Sequence, residues 1–327
     1  MQKRLFTAAL AIGFLSALGA ASHAAENPAD FPSKPIRIVV PFGAGGAGDQ
    51  LVRAMAPSIT EQTGKPVVVE NRVGANGAIG SAFVAQAPAD GYTLLLATTS
   101  THAGNAYLMK QLPYDPVRDF TPITGVSRGD LVLLVHPSLE VRNVLDLVAL
   151  AKKSPGRVSF ASGNASTRIA SEMFANATGT KLLHVPYKSN SLAVVDLLAG
   201  QVMMMISDTA VGAPYVRSGQ LRALAVTGRN RSSDLPNVPT MREAGLSSYE
   251  ALPWWNAIYA PAGTPPAIVD KLNRILVTAA RSPGAAGFYK SSGAEVWTTT
   301  PAELGQYQLS EAAKWKKAID AAGMVAE

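Results

Sequence analysis

Beyond residue 35, short runs of apolar, β-branched residues alternate with longer segments whose apolar residues return every three or four positions. The runs at 36–40, 67–69 and 93–97 read as strands. Between the first two, Leu51, Val52, Met55 and Ile59 mark one face of a helix predicted over 51–62, which Gly64 and Pro66 bring to an end. Strand, helix, strand, helix, strand predicts a parallel sheet with helices on both faces. The alternation then resumes, with strands predicted at 131–135, 158–161, 182–185, 203–206 and 224–227 and helices over 144–153, 169–177 and 193–198. Thr300, Pro301 and Glu303 form a capping box with proline at the first helical position, so a closing helix is predicted to about 322, stopping at Gly323.

A chain of 327 residues exceeds the size at which one hydrophobic core keeps growing, which predicts two lobes. The expected fold is α/β, two doubly wound sheets around a central cleft, with the chain crossing near 125–130 and again near 240–255. The boundaries read from this are 26–127 with 252–327 for lobe 1, and 128–251 for lobe 2. Ligands of such sheets sit beyond the carboxyl ends of the strands, where loops run into helix N-termini.

The first 25 residues stand apart. Lys3 and Arg4 precede an uncharged apolar run over 5–21, and Ser22-His23-Ala24 supplies the small residues that signal peptidase requires. They read as a cleavable export signal rather than a membrane anchor, because Ala, Gly and Ser dilute the run and Glu26 and Asp30 follow at once. The expected location is therefore periplasmic. Loss of Lys3 and Arg4 lowers the formal net charge of +6 by two. So small and scattered an excess suits an anionic ligand and argues against a nucleic-acid partner, which needs a clustered basic face. The absence of cysteine excludes disulfides, thiol catalysis and lipid attachment at the cleavage site.

Four loops that follow strands carry the candidate chemistry. The glycine-rich loop 42–49 opens the first helix, so its backbone N–H groups can face an anion, with Phe42, Gly45, Gly46 and Asp49 as candidate contacts. Gly43, Gly45 and Gly48 also spell a dinucleotide fingerprint, with Glu70 at the end of the next strand. The export signal and Pro41 argue against that cofactor. Asp49 reads either as the helix N-cap or as a partner for a ligand ammonium or hydroxyl. In the second loop, Thr99, Ser100, Thr101 and His102 offer hydroxyl donors to a carboxylate, or a turn-capping cluster. In the third, Ser162, Gly163, Asn164, Ser166, Thr167 and Arg168 combine hydroxyls, a flexible glycine and a guanidinium able to clamp a carboxylate. Asp208 follows the methionine run 203–205, which reads as core. Trp254 and Trp255 read as a stacking surface for an aromatic ligand or as packing at the lobe junction.

Catalysis finds little support. His102, His136 and His184 are isolated from one another and show no metal-ligand spacing, and no nucleophile elbow is read in the chain. Binding without chemistry, metal or cofactor is the expectation.

Seven ordered segments carry a resemblance that spans essentially the whole chain beyond the export signal. They begin at Pro35, Val67, Asp90, Leu112, His184, Leu221 and Ala260, and include Pro41-Phe42-Gly43-Ala44-Gly45-Gly46, Val69-Glu70-Asn71-Arg72 and Ala260-Pro261-Ala262-Gly263-Thr264-Pro265. Together they resemble the tripartite tricarboxylate transporter receptor family, the Bug-type periplasmic solute-binding proteins. The resemblance implies a two-lobed, type II-like periplasmic binding protein fold that closes as a monomer on a small carboxylate, with a membrane permease as partner. It also implies contacts from 42–49 and 99–102 in one lobe and from 162–168 in the other, with Tyr187 and Asp208 nearby. The chain departs from the family pattern at Gly43, Arg168, Ser189 and Leu192, so the identity of the ligand does not transfer. Arg168, as a permanent cation, would favour a ligand with a second carboxylate.

Overall fold

The computed structural model describes residues 29–232, 234–249 and 252–326; the predicted export signal lies outside the described residues. β1 (Ile36–Val40) leads into α1 (Ala47–Thr63), β2 (Val67–Asn71), α2 (Ala78–Ala85) and β3 (Thr93–Thr98). A π-helical turn (Ser100–Gly104) and α3 (Asn105–Leu108) lead to β4 (Phe120–Gly129). The chain then passes through Asp130 into a second sheet. There it forms β5 (Leu131–Val135), α4 (Val144–Lys153), β6 (Ser159–Ser162), α5 (Ala165–Thr178) and β7 (Leu183–Pro186), then α6 (Asn190–Leu198), β8 (Met204–Asp208), α7 (Thr209–Arg217) and β9 (Arg222–Val226). It returns as β10 (Trp254–Pro261) and closes with α8 (Pro266–Ala280), α9 (Pro283–Ser292), β11 (Glu295–Val296) and α10 (Pro301–Ala321).

The strand orders are β11-β4-β10-β3-β1-β2 and β7-β6-β8-β5-β9. β1 lies parallel to both neighbours, with Ile38 opposite Val69 and Leu94. Both sheets are nonetheless mixed, not wholly parallel as the alternation predicts. β10 runs antiparallel to β3 and β4, and β5 antiparallel to β8 and β9. The reason is the crossing itself. A strand arriving from the other sheet enters at the cleft edge and runs away from it, against strands whose carboxyl ends face the cleft. Trp254 pairs with Gly129, so the two crossovers lie side by side.

Alternate residues of the buried strands serve opposite layers. In the first sheet Ile38, Val40, Leu94, Leu96 and Ile258 pack with Leu51, Met55 and Leu272 of α1 and α8. Val39, Leu95, Ala97, Ala257 and Tyr259 face the other way, onto Leu304 and Trp315 of α10. In the second sheet Leu133, Phe160, Met204 and Ile206 face one core, and Val132, Leu134, Ala161 and Met205 the other. This is the two-residue period of strands buried on both faces, and each buried Val, Leu, Ile, Met or Phe side chain among them contributes about 1.5–3 kcal/mol. The closing helix carries its expected capping box, with the Thr300 N–H donating to Glu303 at 2.8 Å. It also spans the lobes, since Asn176 Nδ2 of α5 donates to Ala321 O at 2.7 Å.

Candidate functional site

The carboxyl ends of β1, β3, β6 and β8 open onto one space between the sheets, and the start of β10 closes it as a cavity of about 210 Å³. Four helices begin at its wall, with N-caps Gly46 for α1, Asn164 for α5, Ser189 for α6 and Asp208 for α7. Each is the positive end of a helix dipole and carries N–H groups with no partner inside the helix. α5 and α6 cap themselves: Asn164 Oδ1 accepts the Thr167 N–H at 3.0 Å, and Ser189 Oγ the Leu192 N–H at 3.2 Å. α1 and α7 have no side-chain cap, which leaves their first amides for an anion. No lysine, arginine or histidine lines the cavity. The donors it offers an anion are backbone N–H groups and neutral side chains, beside the carboxyl groups of Asp49 and Asp208.

On the lobe 1 side, Phe42, Gly46, Asp49, Thr99 and Ser100 line the cavity. Gly45 does not; at φ 75° it turns the chain toward an adjoining cavity of about 240 Å³ bordered by Tyr215 and Phe288. α1 starts at Ala47, well before the predicted residue 51, so Asp49 lies inside the helix and is not its N-cap. Its carboxylate reaches back to the Gly45 N–H and sideways to Arg53 Nε, each at 2.9 Å. Burial would raise its pKa, but the bonds from Arg53 and Gly45 outweigh burial and hold it below the usual carboxylate range. Thr101 and His102 turn into the core. Thr101 Oγ1 donates to Thr98 O at 3.1 Å, and the wholly buried His102 ring packs among Tyr114, Phe120 and Tyr259. Burial pushes the His102 pKa down to about 3 and keeps the ring neutral.

On the lobe 2 side, Gly163, Asn164, Ser166 and Asp208 line the cavity. Ser162 and Thr167 are used elsewhere, the first on His184 Nε2 at 2.7 Å, the second on Asn164 O at 3.1 Å and Asn190 Oδ1 at 3.2 Å. Arg168 follows Ser166 by two residues, about 200° around the helix. Its charge acts on Glu172 one turn on, and the expected guanidinium clamp does not line the cavity. Tyr187 also lies outside, its hydroxyl donating to Asp196 at 2.7 Å. Asp208 accepts from Asn190 Nδ2 at 2.7 Å, and burial pushes its carboxyl above the usual range.

Several lining residues escape the sequence reading, above all Asn190, which is 7% exposed. It joins three loops, accepting from the Gly163 N–H at 3.0 Å and from Thr167 while donating to Asp208. Ser189-Asn190 ahead of the apolar segment 192–198 is an N-cap signature that could have revealed it. Trp254 and Trp255 border the cavity but are anchored at the junction. Trp254 Nε1 donates to Asp130 O at 3.0 Å, and Trp255 packs on Trp297 and Tyr307. One string passed over in the sequence, Gly125-Val126-Ser127-Arg128-Gly129, does spell Gly-x-Ser-x-Gly. Ser127 lies within β4, buried and bonded to Asn256 Nδ2 at 3.0 Å, not on a strand-to-helix elbow. Among the described residues no His, Asp and Glu group could hold a metal, and no helix is long and apolar enough to cross a membrane.

Two α/β sheets that enclose one cavity between the carboxyl ends of their strands define the architecture of a solute-binding protein. The chain belongs to the tripartite tricarboxylate transporter family of receptors, whose family model matches residues 51–324. It is 37% identical to Protein BugT of Bordetella pertussis over 94% of this chain and 95% of that protein. Among solved structures it resembles Rpa4515 of R. palustris with adipate, at a TM-score of 0.86 and 33% identity over 91% of this chain and all (100%) of that one. It also resembles MatC (Rpa3494) of Rhodopseudomonas palustris with bound malate, at 0.82 and 27% over 88% of this chain and 100% of that one. Members of this family are solute-binding receptors, not enzymes.

Proposed function

We propose that this chain is an exported periplasmic receptor that captures a small carboxylate by lobe closure and presents it, unaltered, to a membrane permease. The lobes of this reading are 26–127 with 252–327, and 128–251, following an export signal over 1–25; the receptor acts as a monomer. The observation that carries the proposal is the meeting of four helix N-termini at a cavity without a cationic side chain, two of them uncapped. Such a site neutralises a carboxylate with fixed dipoles and needs no desolvated counter-ion. The contacts proposed are the α1 amides after Gly46, Thr99 and Ser100 from lobe 1, and Ser166, Asn190 and the start of α7 from lobe 2. Relatives solved with adipate and with malate support a dicarboxylate ligand. Phe42, Leu96 and Val211 supply apolar surface for the carbon chain.

A thermal-shift screen of the processed protein against mono-, di- and tricarboxylates, amino acids and nicotinamide cofactors tests this. A ligand that binds the folded state alone raises the melting temperature by mass action. A shift by one or a few carboxylates, recovered unchanged, is the expected result; a shift by a dinucleotide alone would sink the proposal.

A further inference from the structure

One loop outside the cavity wall carries backbone strain. Gly74, Ala75, Asn76 and Gly77 follow one another at φ of 131°, 45°, 50° and 85°. The left-handed region is disfavoured for Ala75 and tolerated by Asn76, and strain such as that at Ala75 persists only where the surroundings hold it. Asn76 points its side chain at the other lobe. Its Oδ1 accepts the N–H of Ala165, the first residue of α5, at 3.3 Å. Its Nδ2 donates to Asn105 Oδ1 at 2.6 Å, and Asn105 Nδ2 returns a bond to Asn76 O at 3.1 Å. Asn105 is fully buried and bonded to Tyr114, whose hydroxyl donates to Thr101 O at 2.8 Å. Nearby, Ser100 Oγ and Ser166 Oγ meet across the lobes at 3.3 Å.

We infer that Asn76 is a positioning residue for ligand capture, latching lobe 1 onto the N-terminus of α5 and holding the lobes in the closed arrangement that completes the cavity. The inference rests on the two-lobed receptor reading. Asn76 does not line the cavity, so it acts through α5, whose next residue Ser166 does. The bond to Ala165 exists only while the lobes are together, and opening returns that N–H to water. Its effect is therefore on populations: a larger closed fraction raises apparent affinity for any ligand of the closed form.

The chain lacks cysteine, so a Val73→Cys/Lys188→Cys pair accepts two spin labels, one at each exposed cleft edge. Distances are measured in ligand-free protein by pulsed electron resonance. Asn76→Gly relieves the positive φ but also removes the Nδ2 bond to buried Asn105 Oδ1; it should shift the distribution to longer distances while lowering the melting temperature by no more than the several degrees that one stranded buried acceptor costs. Identical distributions in the parent and a folded Asn76→Gly protein would overturn the inference, and the melting temperature reports that the variant is folded. The readout uses no ligand, so its failure leaves the carboxylate reading standing, and failure of the ligand screen leaves this result interpretable.

Discussion

The Thr99 hydroxyl accepts the Trp255 N–H at 2.7 Å and lies 3.3 Å from the Trp255 carbonyl oxygen, both residues buried at the cavity wall. One hydroxyl thus serves two main-chain groups where β10 enters the first sheet. That contact sets where this wall stands relative to the helix N-termini opposite.

Thr99→Val keeps the shape and removes the hydroxyl, leaving the Trp255 N–H without its acceptor. Stranding such a buried group costs about 1–3 kcal/mol. We expect a melting temperature lower by several degrees and carboxylate binding weakened on the order of tenfold, both recovered largely in Thr99→Ser. Scanning calorimetry and titration calorimetry measure the two effects. Unchanged affinity in Thr99→Val would separate the wall's stability from its role in binding.

Gly163 sits so close to the next loop that a Cβ there would overlap the backbone of Ser189 and Asn190. No rotamer change relieves a clash with main chain, so Gly163→Ala must push the N-termini of α5 and α6 apart and break the Gly163 N–H bond to Asn190. Overpacking of this kind costs about 1–3 kcal/mol or more. The expected outcome is a lower melting temperature with loss of ligand binding. A variant that binds at parental affinity would show that the spacing of these helix ends is not what the ligand reads.

The strands and helices near the cleft were legible because their patterns are local. Ile36–Val40 and Thr93–Thr98 are short runs dominated by buried apolar residues, and the Thr300 capping box announces α10. β4 and β10 escaped, because Phe120–Gly129 mixes Thr, Pro, Gly, Ser and Arg with its apolar residues and Trp254–Pro261 has no polar alternation to mark it. Their antiparallel direction follows from the crossovers, which no local pattern encodes. In the site, the loops that follow strands were legible, but the orientation within each loop was not. Helical phase turns Arg168 away from Ser166, and the π-helical turn buries His102 two residues after Ser100 reaches the cavity. Asn190 was missed since its role comes from three loops meeting.

Asp208 gives ligand binding a pH dependence of definite sign. Burial already raises its pKa above the usual carboxylate value, with the Asn190 bond opposing in part. A carboxylate placed in the same cavity raises it further, so the complex binds more proton than the free protein. Affinity should therefore fall as pH rises through the pKa of Asp208, by at most about tenfold per pH unit. Asp208→Asn should flatten this dependence and bind at least as tightly at the alkaline end. Dissociation constants of the carboxylate found in the screen, measured between about pH 5 and pH 8, decide it. A parallel slope in the parent and the variant would assign the proton to another group.

His102 predicts an acid limit to stability. Its folded pKa of about 3 lies well below the ordinary value of 6.5, because burial among Tyr114, Phe120 and Tyr259 disfavours the imidazolium. Above pH 6.5 the ring is neutral in both states and contributes no pH dependence. Below it the unfolded chain takes up a proton that the folded protein refuses, so stability is lost as pH falls from 6.5 toward 3. At about pH 5 the loss from this one group approaches ~2 kcal/mol, or several degrees of melting temperature. His102→Phe fills the same aromatic pocket without a titrating nitrogen. Its drop in melting temperature between neutral and mildly acid pH should be smaller than the parent's by that amount, measured by scanning calorimetry in both proteins. Equal drops would show that His102 titrates freely in the folded state and that its pocket is open to water.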